Sequence, residues 1–184
     1  MLPRLAAVAP YPAMPENEAQ TLTQQGFEDL YAYLGPRLLS FLARQVRNPD
    51  LASDLLQDTF LRILRSPVRV FSAGELRSYA YRTAHSVVTD HFRREQRARR
   101  WSFLGGRNAP VPPRPASGMD RVFAELKPRE RSLLWMAYVE EMNHEEIAAA
   151  LDVAPRSVKV LLHRARKRLG DKLKKQNLGP EAAT

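Results

Sequence analysis

In the stretch EEIAAALDVAPRSVKVLLHRARKRL, Glu145 to Leu169, cations recur on what reads as one helix, entered from a short Ala-rich one. Ile147, Leu151, Val153, Val158 and Leu161 supply apolar contacts between the two, and Ala148 is the small residue where they approach. Asp152 takes the turn, where Gly is commoner but Asp tolerates the left-handed region. Pro155 suits a first helical turn, because its missing N–H would have no intrahelical partner there. With that face buried, Arg156, Ser157, Lys159, Val160, His163 and Arg164 are left pointing outward, with His144 nearby. The pattern is a helix-turn-helix: residues at the start of the second helix reach base edges, and flanking cations hold phosphates. A plain helical hairpin with a solvated basic face would carry the same pattern.

A second stretch, ELRSYAYRTAHSVVTDHFRREQRARR from Glu75 to Arg100, interleaves Tyr79, Tyr81 and Phe92 with Arg77, Arg82, Arg93 and Arg94. Bases stack on aromatic rings while cations follow the backbone, so such a surface suits single-stranded nucleic acid. The competing reading puts the tyrosines in a core. Enzyme chemistry finds no footing. His85, His91, His144 and His163 are scattered without ligand spacing. There is no cysteine, Gly-rich phosphate loop, HExxH or Ser-His-Asp order. Neither catalysis, nor a metal, nor a cofactor is expected.

Helices must position these groups. From Phe27 to Val46, and again from Leu55 to Leu64, apolar residues recur at helical spacing, with Asp50 or Ser53 as the cap between the two runs. A third helix is expected from Glu75 to Arg99. The segment GGRNAPVPPRPASG, Gly105 to Gly118, has four prolines and three glycines and reads as a linker. Beyond it, Met119–Leu126, Arg129–Val139, Glu145–Leu151 and Pro155–Lys174 read as four more helices. The expectation is an all-α chain of two small helical domains, 25–100 and 119–176, the second a helix-turn-helix. A Pro-rich flexible linker (101–118) joins them, with a disordered arm at 1–24 and a tail at 177–184. The 184 residues carry a formal net charge of +9, which favours nucleic acid as the partner. No apolar run approaches the roughly 20 residues of a bilayer span, and prolines break the start MLPRLAAVAPYPAMP, so no membrane insertion or signal peptide is expected. A cytoplasmic location follows by default.

DLLQDTFLRIL, then LRSYAYRTAHSVVTDHFRR, then a Pro-rich tether, then LKPRERSLLWMAYVEEMNHEEIAAALDVAPRSVKVLLHRARKRL together resemble the extracytoplasmic-function sigma factors. These are the small two-domain initiation factors of bacterial RNA polymerase. The resemblance covers roughly residues 25 to 173. It implies partners: core RNA polymerase through its β′ clamp helices and β subunit, promoter DNA, and an anti-sigma protein.

The resemblance also implies roles by position. Asp54, Leu55, Gln57, Asp58, Phe60 and Arg62 would face the polymerase, with Phe60 largely in the core. Arg77, Tyr79, Arg82, His85, Ser86, Arg93 and Arg94 would engage the melted −10 element, with a base flipped from the stack. His144, Arg156, Ser157, Lys159, Val160, His163 and Arg164 would read the −35 element, and Arg166, Lys167, Arg168, Lys172, Lys174 and Lys175 would attract phosphates generally. The linker would pass through the RNA exit region. Three departures stand out. Tyr79 sits where the family often has Trp. His85-Ser86 replaces an Arg-Asn pair, removing an amide that both donates and accepts. Val160-Leu161 replaces Ser-Arg, which removes about one phosphate contact. Leu161 either extends the core or meets the other domain. A DNA-binding regulator independent of polymerase, and a sigma mimic that binds an anti-sigma protein, are the rival readings.

Overall fold

The computed structural model describes residues 24–65, 73–104 and 118–176, and every element in them is an α-helix. The N-terminal arm, the segment 66–72, most of the linker and the tail lie outside the described residues. In chain order the helices are α1 (Gln24–Val46), α2 (Pro49–Arg65), α3 (Ala73–Leu104), α4 (Gly118–Ala124), α5 (Pro128–Tyr138), α6 (His144–Leu151) and α7 (Pro155–Lys175). The chain is an all-α protein of two helical domains, the second ending in a helix-turn-helix.

In the N-terminal domain α1, α2 and α3 pack on one another. Their apolar stripes meet at Leu30, Leu34, Leu38, Phe41, Leu55, Phe60, Ile63, Leu76, Ala84 and Val88, all buried. The cap of α2 is not Asp50 or Ser53. Asn48 Oδ1 accepts from the backbone N–H groups of Asp50 and Leu51, at 3.1 and 3.2 Å, so the cap lies two residues before Asp50. Helix α3 runs five residues beyond Arg99, so residues 101–104, read from sequence as linker, are helical.

In the C-terminal domain α5, α6 and α7 close around Leu133, Met136, Ile147, Leu151, Val158, Leu162 and Ala165. Asn143 caps α6 reciprocally: its side chain accepts from Glu146 N–H at 2.9 Å, and the Glu146 carboxylate accepts from Asn143 N–H at 2.8 Å. Asp152 ends α6 at φ 54°, ψ 57°, the left-handed conformation the turn requires. Leu162, not Leu161, is the buried leucine of α7's second turn. Leu161 packs half-buried in a cleft with Leu133 and Leu151 of its own domain, and so extends that core.

The two domains are packed together. Helix α3 lies along α6, and α1 touches α5. At the join Phe41 approaches the Trp135 ring at 6.5 Å between centroids. Arg131 of α5 is driven into the seam: its Nε donates to Gln45 Oε1 at 3.1 Å, and its guanidinium lies 5.6 Å over the Phe92 ring. Burial, and then the charge of Arg47, pull its pKa down to about 10. It remains charged at neutral pH, held by hydrogen bonds and a ring face.

Candidate nucleic-acid interface

On α7, Arg156, Lys159, Val160, His163 and Arg164 are exposed and Ser157 is half-buried. Successive offsets of three and four residues bring them to one face, opposite buried Val158, Leu162 and Ala165. His144, at the start of α6, is exposed too. Among the described residues nothing covers this face, so a duplex can reach it past all of them. Val160 is 49 % exposed, an apolar residue suited to a thymine methyl. Of the six tail cations two turn home: Arg168 pairs with Glu130, and Lys172 with Glu125 at 2.7 Å.

On α2, Leu55 and Phe60 turn inward, at 4 % and 3 % exposure, and offer no surface. Arg62 reaches back to Asp90 of α3, Nη1 to Oδ2 3.1 Å. Asp54, Gln57 and Asp58 are exposed, and Leu61 and Leu64 join them on the same stripe, each nearly half exposed. In the sequence these two leucines merge with the core, because they continue the helical recurrence of apolar residues from Leu55. Continuing the 54, 57, 58 spacing by one turn gives 61 directly.

The N-terminal half of the aromatic and basic face on α3 is occupied. Arg77 pairs with Glu146 at 2.5 Å, both largely buried, and its guanidinium also reaches the Glu140 carbonyl at 3.4 Å. Arg82 pairs with Asp152 at 3.3 Å. Tyr79, with Gly74 and Ser78, lines a groove whose other wall is Asn143, Glu145, Glu146 and Ala149 of the C-terminal domain. Ser86, Arg93 and Arg94 are exposed. Tyr81 is core, its ring 5.4 Å from Phe41, edge to face.

Two further ion pairs cross the join, Arg37 to Glu140 at 3.7 Å and Arg44 to Asp120. In all four the arginine belongs to the N-terminal domain and the carboxylate to the C-terminal one. Glu140 is deeply buried: it accepts from Trp135 Nε1 at 3.2 Å and sits beside the Tyr81 hydroxyl without a well-formed hydrogen bond between them. Burial, and then the Glu140 charge, hold the Tyr81 phenol well above its usual pKa. The acids of one domain thus neutralise arginines that the other would otherwise present to solvent.

His85 is half-buried at the same seam, its Nδ1 3.0 Å from Ser132 Oγ. The Ser132 hydroxyl donates to the Pro128 carbonyl at 3.1 Å, so Nδ1 carries the hydrogen and donates to Ser132. Burial, and then Arg129 and Arg93, lower its pKa to about 4 from 6.5. A depressed histidine favours the packed arrangement of the two domains over a separated one fully above pH 6.5, and that advantage is lost as pH falls toward 4. The opening equilibrium should therefore rise about tenfold between pH 7.5 and 5.5 if release restores an ordinary pKa. Small-angle scattering against pH checks this, and His85→Asn should flatten the response. An unchanged radius of gyration across that range, with wild-type protein partly open at pH 7.5, would refute it.

Known proteins share these features. Residues 30–98 match the family Sigma-70 region 2, and residues 118–169 match Sigma-70, region 4. The chain is 29 % identical over 157 residues to the RNA polymerase sigma factor CarQ of Myxococcus xanthus, covering 82 % of this chain and 90 % of that one. It is 27 % identical over 159 residues to the ferric citrate uptake sigma factor FecI of Escherichia coli, covering 81 % and 91 %. Among solved structures, the sigma factor RpoE in complex with the anti-sigma factor NepR from Bartonella quintana superposes with a TM-score of 0.65 at 21 % identity, over 82 % of this chain and 98 % of that one. CnrH in complex with the cytosolic domain of CnrY gives 0.60 at 22 %, over 85 % and 93 %. Both halves, in this order and on an all-helical frame, make the chain a member of the extracytoplasmic-function sigma factors, which direct bacterial RNA polymerase to promoters.

Proposed function

We propose a division of labour within this sigma factor. The exposed α2 stripe of Asp54, Gln57, Asp58 and Leu61 docks on the β′ clamp helices. The α3 face holds the melted −10 strand, with Tyr79 as stacking platform, Arg77, Arg82, Arg93 and Arg94 on the backbone, and His85 and Ser86 beside the base. The α7 face, with His144, reads the −35 element through Lys159 and Arg164. The chain does no chemistry itself, which the polymerase supplies, and it works in the cytoplasm where that enzyme is. The observation that carries this reading is the pair of separate basic faces on α3 and α7, one ready for DNA and one covered.

The covered state is the free form. The C-terminal domain occupies the −10 surface until polymerase draws the domains apart. One structural neighbour was co-crystallised with an anti-sigma factor, and an anti-sigma protein that prolongs the closed state is the partner expected here.

Run-off transcription over a genomic library tests the proposal, comparing core polymerase alone, with this protein, and with the Gln57→Ala/Asp58→Ala variant. Discrete starts that need the protein and fall at least tenfold in the variant are the expected result. Binding to duplex DNA without binding to core polymerase would replace it with the plain regulator. Binding to core without starts would favour the mimic.

A further inference from the structure

Phe92 packs against the hydrophobic core. From Arg93 to Trp101 the helix projects about 13 Å further, at 1.5 Å per residue, and its residues are exposed apart from half-exposed Glu95. Residues 93 to 100 hold five arginines and one glutamate. Helical geometry sorts them. Arg93, Arg97, Arg100 and Trp101 share one face, whereas Glu95 and Arg99 pair at 2.6 Å on the other.

Arg97 and Arg100 have no carboxylate partner among the described residues. Trp101 is 77 % exposed, the most exposed large apolar side chain described. An indole in water beside unneutralised guanidinium groups suits a polyanion with flat apolar surfaces, which is what nucleic acid offers. The face is also continuous with the proposed −10 ridge. Counting back along α3 in steps of three, four and seven, the same face carries Ser86, Arg82 and Tyr79. The C-terminal domain covers only the Tyr79–Arg82 end.

We infer that the projecting end of α3, through Arg97, Arg100 and Trp101, is a further DNA-binding site that grips duplex phosphates flanking the −10 element. This rests on the promoter-reading proposal above. Because the arm is uncovered in the closed form, it can engage DNA before the domains separate, and the reading end of the same ridge is then already aligned.

The test uses full-length protein in holoenzyme with a promoter found by run-off transcription. Affinity is measured against salt on two probes, one carrying duplex on both sides of the −10 element and one trimmed to that element. On the longer probe Arg97→Gln/Arg100→Gln should weaken binding about tenfold and lower the slope of log K against log salt by about 1.8, for two phosphates. On the trimmed probe it should match wild type. In the free factor, where Trp135 is the one other tryptophan, duplex DNA should quench part of the tryptophan emission of wild type but not that of Trp101→Phe. Lys159→Ala is the control for the underlying reading. If it weakens the longer probe while the double variant does not, the arm is wrong and the promoter reading stands. If neither does, the promoter reading fails. Weakened assembly of the double variant with core polymerase in the absence of DNA would make the arm a protein contact and overturn the inference.

Discussion

Glu146→Lys is expected to open the protein. The substitution replaces the 2.5 Å Arg77–Glu146 pair, largely buried on both sides, with two like charges. Losing one partner of a buried pair costs about 3 kcal/mol, which corresponds to a shift of roughly 100-fold toward the open form. Single-stranded DNA binding by the free protein should rise in step, while scattering shows an enlarged radius of gyration. Glu146 also completes the reciprocal cap of α6, so helix loss must be separated from charge loss. Glu146→Gln does this, since glutamine serves equally at the third position of a capping box. It should open the protein less than lysine does, with the helix intact. Combining Arg77→Glu with Glu146→Lys should restore closure and leave DNA binding weak. A compact Glu146→Lys protein would show that this pair does not hold the domains together.

Leu61→Arg should abolish transcription by removing the polymerase, not by unfolding the factor. Leu61 lies 45 % exposed in the middle of the acidic α2 stripe. A bulky cation there destroys an apolar contact at the centre of a helix-on-helix interface, where truncations typically cost 2 kcal/mol or more. A loss of core affinity of about 100-fold is expected with the melting temperature unchanged. Leu55→Ala makes the contrast. That residue is buried, so truncation should cost about 3 kcal/mol of stability and leave the affinity of the folded fraction intact. Equal core binding by Leu61→Arg and wild type would move the polymerase interface off this stripe.

Much of the architecture was legible because it depends on local signals. The seven helical runs follow from spacing of apolar residues, and the Asp152 turn follows from one residue's tolerance of positive φ. The outward set on α7 follows once its buried face is known. The failures share a cause. Arg77, Arg82 and His85 are expected to meet nucleic acid, but the groups they meet within the packed protein, Glu146, Asp152 and Ser132, lie 47 to 70 positions away in sequence. No periodicity encodes a contact made across a tether. In EEMNHEE nothing local sets Glu140 and Glu146 apart from ordinary helix-end carboxylates, yet one is buried and the other largely so. Arg131 gave no hint of its place in the seam, because an arginine in KPRERS looks like any first-turn cation until Gln45 and Phe92 are brought beside it. The end of α3 was cut short at Arg99 because GGRN follows soon after, and a helix of unpacked arginines has no apolar period to extend it.

The one-way polarity of the join, arginines on one side and carboxylates on the other, has a consequence for how tightly the halves need hold each other. Residues 105–117 connect Leu104 to Gly118 covalently, so each half meets its partner at an effective concentration in the millimolar range. A contact with a dissociation constant of ~100 µM would then be about 90 % formed within one molecule, while the same halves as separate chains at ~1 µM would be about 99 % apart. Covalent connection, more than strength of contact, is what such a factor needs to stay shut. A protease that cut the chain once between the halves would release an N-terminal half with its reading face bare and no stable cover to return to it.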